Sequence, residues 1–140
     1  MSEDKLSEKK LHLKITTHSK VVFDADIDEI YSKSTNGEFG VLPNHVPFMC
    51  ALDIGVTRAV TDGITEYFAI MGGVFQLKDN QALILAQTAE NGKDIDTVRA
   101  KTAQERAAAR LAESTEELDI KRAEIALARA VARLKASSYK

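Results

Sequence analysis

Every glycine and both prolines of this 140-residue chain lie at or before Gly92. Beyond that point the composition inverts. Residues 95–140 contain no Gly and no Pro, but hold twelve alanines and six of the seven arginines. Gly and Pro interrupt helices and punctuate turns, whereas Ala is the strongest helix former. A single uniform fold is therefore excluded, and the chain divides into two units of different physics. Charge divides with it. Residues 1–94 carry nine Lys/Arg against fourteen Asp/Glu, and residues 95–140 carry ten against seven. Averaged over the whole chain the net charge is only −2, which does not fit a nucleic-acid-binding surface, so no nucleic-acid partner is expected.

The first unit reads as strands. Residues 1–10 are charged, lack an apolar run, and are expected to be a flexible tail rather than a signal peptide. Leu11–Thr17 alternates apolar and polar residues, the period of a half-buried strand. Short strand-like runs follow at 20–23, 28–33, 46–52, 55–60, 64–70, 74–78 and 82–86. Asp62-Gly63 predicts a type I′ hairpin turn, which needs positive φ at both central residues. Gly72-Gly73 and Asp79-Asn80 are expected to turn the chain again. Many short strands punctuated in this way predict a β-sandwich or flattened barrel over residues 11–90.

The second unit, residues 91–140, reads as an antiparallel helical hairpin. Asp94 is expected to cap the first helix from about Ile95, with Asp96 in its first turn. Ser114-Thr-Glu-Glu117 fits a capping box opening a second helix that runs to about Ala136. Ile120, Leu127 and Leu134 recur every seven residues with Ala123 and Ala130 between them. Ala100, Ala103, Ala107 and Leu111 form the matching stripe. A seam built largely of Ala buries little area, so this hairpin is expected to dock, swing or unfurl.

The arginines are the chemical anomaly. On a helix, neighbours at i±3 and i±4 decide whether a charge is already paired. Asp96 is so placed for Arg99, Glu113 for Arg110 and Asp119 for Arg122. Arg106, Arg129 and Arg133 have no acid at those offsets, and like charges face each other at 106/110 and 129/133. Two folded helices can bring these three guanidiniums together, in a geometry suited to phosphate or carboxylate oxygens. The alternative is a solvated basic face, or pairing across the hairpin with Glu113, Glu116 or Glu117. Elsewhere the chemistry is sparse. Cys50 is the single cysteine, and His12, His18 and His45 are dispersed, so no zinc-binding spacing appears. No nucleophile, base and orienting group fall in a recognisable order, so no enzyme activity is expected. No apolar run is long enough to span a bilayer.

Gly37-Glu-Phe-Gly-Val-Leu-Pro-Asn-His-Val-Pro-Phe48 resembles the Gly-Glu-Leu-Gly-Ile-Leu-Pro-Gly-His-x-Pro loop of the epsilon-subunit family of bacterial F-type ATP synthases. Gly72-Gly-Val-Phe-Gln-Leu77 and Ala86-Gln-Thr-Ala-Glu90 are similar to strand ends of that family. Asp94-Ile-Asp-Thr-Val-Arg-Ala100 resembles its Ile/Leu-Asp-x-x-Arg-Ala motif, and Lys121–Ala130 its second helix. The resemblance runs through residues 11–136, in order. It implies an α+β chain: a flattened β-sandwich of about ten strands followed by a two-helix domain. It implies a non-catalytic rotor subunit on the cytoplasmic face of the bacterial membrane, peripheral to it, which binds the gamma subunit and rests on the c-ring. Glu38 and His45 match the family's c-ring contacts. The helices, when extended, would enter the catalytic alpha/beta subunits and inhibit ATP hydrolysis. In some members the compact hairpin binds ATP as a regulatory ligand, with no cofactor required. The matching positions are Glu90, Ile95, Asp96, Arg99, Ala100, Arg106, Arg129 and Arg133. Three of these are the arginines that lack local partners. Where the family's loop has Gly this chain has Asn44, which also tolerates positive φ. The competing reading, a free β-sandwich ligand module whose hairpin dimerises, leaves this whole-length match unexplained.

Overall fold

The computed structural model describes residues 10–139. Of the expected tail, residues 1–9 lie outside the described residues. Lys10 is held by Asp28 at 2.5 Å and by Asp62 at 3.4 Å.

Among the described residues eight strands precede two α-helices. They are β1 (Leu11–Thr16), β2 (Val21–Ile27), β3 (Glu29–Ser34), β4 (Gly37–Val41), β5 (Phe48–Thr61), β6 (Ile64–Lys78), β7 (Gln81–Ala86) and β8 (Ala89–Asn91). They hydrogen-bond in the order β2-β1-β7-β6-β5-β3-β4, with β8 added to β6. All pairs are antiparallel except β1 with β7. The strands number eight rather than about ten because the runs expected separately at 46–52 and 55–60 form one strand, β5. Those at 64–70 and 74–78 likewise form β6.

Gly72-Gly73 is therefore a corner inside one strand and not a turn between two. Both glycines have positive φ, at 82° and 147°. The ladder passes from Leu52↔Gly73 to Ile54↔Met71, so β5 and β6 bend together and stay paired. No side chain fits at Gly73, where a Cβ would press on the Leu85 carbonyl oxygen and lie 2.8 Å from the Ala86 Cα. On one side of the corner β6 pairs with β7, and on the other with β8, which folds the sheet into a sandwich. The hairpin turns form as expected, with positive φ at Asp62 and Gly63 and again at Asp79 and Asn80.

Inward-facing Leu11, Leu13, Ile15, Ile30, Phe68, Phe75 and Ile84 fill the sandwich. Phe39, Phe48 and Phe75 pack edge to face or tilted, with centroids 5.1–5.7 Å apart. Two buried hydroxyls, Ser32 Oγ and Thr57 Oγ1, satisfy each other at 2.7 Å. Cys50 is half-buried, and burial raises its thiol pKa, as suits a packing residue.

A 3-10 turn, Gly92–Asp94, leads to α1 (Thr97–Glu113) and α2 (Glu117–Ser137). Asp96, not Asp94, caps α1, and its Oδ1 accepts from Arg99 N at 3.0 Å. Asp94 is taken up by the preceding 3-10 turn. The capping box at Ser114 does not form either. Ser114 ends α1 and donates through Oγ to the Arg110 carbonyl, while Glu116 opens α2 without a side-chain cap. The seam is Ala100 and Ala107 against Ala123 and Ala130, all buried, whereas Ala103 is exposed beside it.

A second face of α2 carries Ala132 and Ala136 onto the sandwich, where they pack with Ala69, Met71 and Ile95. Tyr139, the one aromatic of the helical unit, stacks on Tyr67 of β6 with centroids 4.0 Å apart and planes 10° apart.

Candidate functional site

The chain between sandwich and hairpin builds a groove. β8 presents Glu90, and Asn91 Oδ1 accepts from Lys93 N to shape the 3-10 turn. Ile95 is buried at 2% exposure and anchors the start of α1. Asp96 is fixed by its capping bond, so the first turn of α1 carries Arg99 and Ala100 at a set angle. From α2, Arg133 reaches across, and its Nε donates to Glu90 Oε1 at 2.7 Å. Both side chains of that pair are about one-third exposed, at 33% and 36%. The result is a groove of about 330 Å³ lined by Glu90, Asp94, Ile95, Asp96, Arg99, Ala100, Ala103 and Arg133.

Six of the eight positions singled out in the sequence thus meet in one place. Arg106 and Arg129 do not line the groove. Both are exposed, and neither makes an ion pair among the described residues. At ~1.5 Å per helical residue, Arg129 sits about 6 Å beyond Arg133 along α2, and Arg106 about 10 Å beyond Arg99 along α1. They continue the cationic edge away from the sandwich.

Local pairing turns out otherwise than spacing suggests. Among the described residues Arg99, Arg110 and Arg122 make no ion pair with the acids at i±3, and no arginine pairs across the hairpin. Exposed pairs contribute so little that solvent competes for both partners, and Asp96 turns instead to the helix cap. Arg133, which lacks a partner on its own helix, finds one in β8, 43 residues away.

That partner gives the site a definite chemistry. Nε of Arg133 is taken by Glu90, which leaves its two terminal nitrogens for an outside acceptor. Arg99 provides a second fork on the facing helix. Planar guanidinium donors in this arrangement suit phosphate oxygens. The contribution of Asp94 was read from sequence only as a cap, and that of Ala103 only as seam.

Glu38 and His45 do not meet in a shared site. Glu38 lies on β4 and lines a different cavity, between α2 and the sheet. His45 sits in the loop after β4, its ring 5.1 Å from Phe48 and its Nδ1 2.8 Å from the Val46 carbonyl. The loop also holds Asn44 at φ 68°, the left-handed conformation its position demands. A reciprocal pair of bonds with Asn80 ties this loop to the β6–β7 turn. The loop exposes Val46 at 70%, and nearby Met49, Val74 and Leu85 leave an apolar surface on β5, β6 and β7. Among the described residues no group of His, Cys, Asp and Glu could hold a metal, and no helix is long and apolar enough to cross a membrane.

A β-sandwich followed by a two-helix hairpin, joined among the described residues by the Glu90–Arg133 ion pair, defines a class of two-unit α+β proteins. Comparison with known proteins identifies the family. The ATP synthase delta/epsilon chain beta-sandwich domain matches residues 10–92, and the long alpha-helix domain of the same chains matches residues 93–138. The chain belongs to the ATP synthase delta/epsilon chain family, and the relatives it resembles are epsilon chains. That of Nitratidesulfovibrio vulgaris is 43% identical over 100 residues, covering 71% of this chain and 75% of the relative. That of Anoxybacillus flavithermus is 41% identical over 99 residues, covering 71% and 74%. The fold is shared with a chain of the Euglena gracilis mitochondrial ATP synthase, solved with OSCP, F1 and c-ring. The TM-score is 0.79 at 24% identity, over 92% of this chain and 81% of that one. A chain of the Tetrahymena thermophila central stalk and c-ring gives 0.66 at 15% identity, over 94% and 98%.

Proposed function

We propose that this chain is a non-catalytic central-stalk subunit of a bacterial ATP synthase, peripheral to the cytoplasmic face of the membrane. Its β-sandwich docks on the gamma subunit and the c-ring. Its hairpin serves as a lever that restrains ATP hydrolysis when extended into the alpha/beta subunits and that is held compact by regulatory ATP. The relatives are epsilon chains, and the two fold neighbours come from assemblies solved with a c-ring, which supports the docking part of this reading. The exposed apolar surface of Met49, Val74, Leu85 and Val46 supports it physically, since a patch of this kind is normally covered by a partner. Glu38 and His45 are proposed for the c-ring contact.

The observation that carries the regulatory part is the groove that gathers Glu90, Ile95, Asp96, Arg99, Ala100 and Arg133. Its nucleotide would take Arg133 and Arg99 on its phosphates. Arg129 and Arg106, further along the same edge, would engage the distal phosphates. Ligand bound only to the compact form stabilises it by RT ln(1 + [L]/Kd), about 2.7 kcal/mol at a hundredfold excess over Kd. A seam of alanines is weak enough for that increment to decide the balance.

Calorimetric titration of ATP into the wild type and into Arg129→Ala and Arg133→Ala tests the site. Weakened binding in both variants is expected, and equal affinity in all three proteins would remove the arginines from the reading. Co-purification with a gamma subunit tests the docking role. A chain that never associates with gamma would sink it.

A further inference from the structure

α2 has a second flank. Opposite the Glu90–Arg133 pair, between α2 and the sheet, lies a groove of about 480 Å³. Its apolar walls include Ile54 and Val56 of β5 and Val131 of α2. Its rim carries Lys33, Arg58 and Lys135 from three different elements.

The charges there are unbalanced. Arg58 lies 4.8 Å over the Tyr31 ring and has no carboxylate within ion-pair distance among the described residues. Lys135 likewise makes no ion pair among them. Lys33 meets Asp53 only at 3.8 Å. Glu38 is the single carboxylate lining the groove among the described residues.

We propose that this groove binds a small amphipathic anion, an apolar body with one acidic headgroup, and that its occupancy clamps α2 to the sandwich. The volume falls in the range of small-molecule sites, ~300–1,000 Å³, which combine apolar walls with a few convergent polar groups. A bare inorganic anion would leave the apolar walls unused, and a neutral apolar molecule would leave the cations unmatched. Arg58, fixed on the ring by cation–π attraction, still presents its edge donors to a headgroup. One wall is α2 itself, so the groove exists only while the hairpin is docked, and any ligand in it favours the compact form by mass action. At 100° per residue, Val131 and Lys135 project ~160° away from Arg133, so this ligand and one in the Glu90 groove occupy opposite flanks of one helix. The inference goes beyond the nucleotide proposal and does not depend on it.

The test uses the full chain without nucleotide. 8-Anilinonaphthalene-1-sulfonate serves as fluorescent reporter and sub-micellar laurate as competitor, with inorganic phosphate as a headgroup-only arm. Laurate is expected to displace the dye, and phosphate is not. The double variant Arg58→Glu/Lys135→Glu, with Lys121→Glu on the outer face of the hairpin as control, is expected to weaken laurate at least tenfold, the control leaving it unchanged. Methyl resonances of Ile54, Val56 and Val131 in the wild type are expected to shift on laurate addition. Equal affinity in the double variant, displacement by phosphate alone, or shifts confined to Leu42, Val46 and Met49 would each overturn the proposal. ATP affinity measured on the same double variant separates the two sites, since loss of laurate binding with ATP binding unchanged leaves the nucleotide proposal standing.

Discussion

Gly92→Ala is the most direct way to weaken the docking of the hairpin on the sandwich. Gly92 is not among the glycines of positive φ, so the substitution carries no backbone strain of its own. Its effect is steric. The new Cβ would lie 2.8 Å from the Ala136 carbonyl carbon, closer still to its oxygen, and 3.2 Å from the Tyr67 carbonyl oxygen. Both neighbours are backbone, so neither can rotate aside. Overpacking of this kind costs about 1–3 kcal/mol, and the upper end applies where nothing flexible yields. Against it stands what holds the end of α2 to the sandwich. The buried methyls of Ala132 and Ala136 contribute about 0.8 kcal/mol each. The Tyr67–Tyr139 stack adds about 1 kcal/mol, and the Glu90–Arg133 pair, one-third exposed, about 0.5 kcal/mol. Their total, about 3 kcal/mol, matches the clash. The docking equilibrium of α2 is therefore expected to fall about a hundredfold, to near balance. Hydrogen exchange read amide by amide tests this: protection is lost along residues 120–137 and kept in β1 and β7. The near-ultraviolet circular dichroism of the stacked tyrosines should collapse in parallel. If α2 keeps its protection in Gly92→Ala, the end of α2 is held by something other than these contacts and the reasoning fails.

Three further outcomes follow from the sandwich. Thr57→Val strands the buried Ser32 hydroxyl and is expected to lower the stability measured by urea unfolding by about 1–3 kcal/mol, whereas Ser32→Ala/Thr57→Val together recover most of the loss. Phe75→Ala, at the centre of the aromatic cluster, should cost about 3–5 kcal/mol in the same assay, and a smaller loss would mean that Phe39 and Phe48 collapse into the space. His12 is clamped by Asp26 at 2.7 Å and Asp24 at 2.5 Å, and these hydrogen bonds raise its pKa above 6.5. A raised folded-state pKa gives stability that is complete below the unfolded value and is lost as pH rises through the folded one. The urea midpoint of wild type should decline above about pH 6.5, and His12→Ala should flatten that slope; identical pH profiles would refute it.

Fold class was legible because it rests on local composition. The cut at Gly92 is where a period-2 pattern gives way to an Ala-rich one, and nothing tertiary has to intervene. Register along β5 and β6 was less legible. Asp53-Ile54 and Gly72-Gly73 read as interruptions, yet two strands that bend at the same place keep their ladder, a fact that belongs to the pair and to neither segment alone. Helix caps failed for a similar reason. Asp94 and Asp96 both satisfy the cap rule, and the 3-10 turn decides between them. In the candidate site, the three unpaired arginines were visible as a deficit of local acids, but the partner of Arg133 was not, because Glu90 is distant in sequence and arrives on a strand. Gly92 gave no sign of its contact with Ala136, since a glycine required by a neighbour's backbone looks like one required by a turn. Tyr139, the one aromatic in the helical unit, carried no sequence expectation, because its stacking partner Tyr67 lies on a distant strand.

The Glu90–Arg133 pair links both halves of this picture. Were it buried and fully paired, removing Arg133 would damage the fold, and the hairpin would be a fixed part of the structure. At one-third exposure it contributes only a few tenths of a kcal/mol, and four of the five donors of the guanidinium lie on the terminal nitrogens and not on Nε. The pair thus orients Arg133 more than it fastens α2. Beyond it, Arg129 and Arg106 extend the positive edge without an ion-paired carboxylate among the described residues, at some cost in like-charge repulsion between Arg129 and Arg133 one turn apart. A helix held by these few contacts and edged with unmatched cations would be held more firmly in the compact form by an anion on that edge. In the proposed function, nucleotide phosphate supplies it when the hairpin is folded, and acidic surfaces of the catalytic subunits supply it when the hairpin is extended. Arg129→Ala separates these cases from simple structural loss. It should raise the stability of the nucleotide-free compact hairpin slightly, by relieving repulsion, while lowering its response to ATP, and a variant destabilised in both states would place Arg129 in the packing of the hairpin instead.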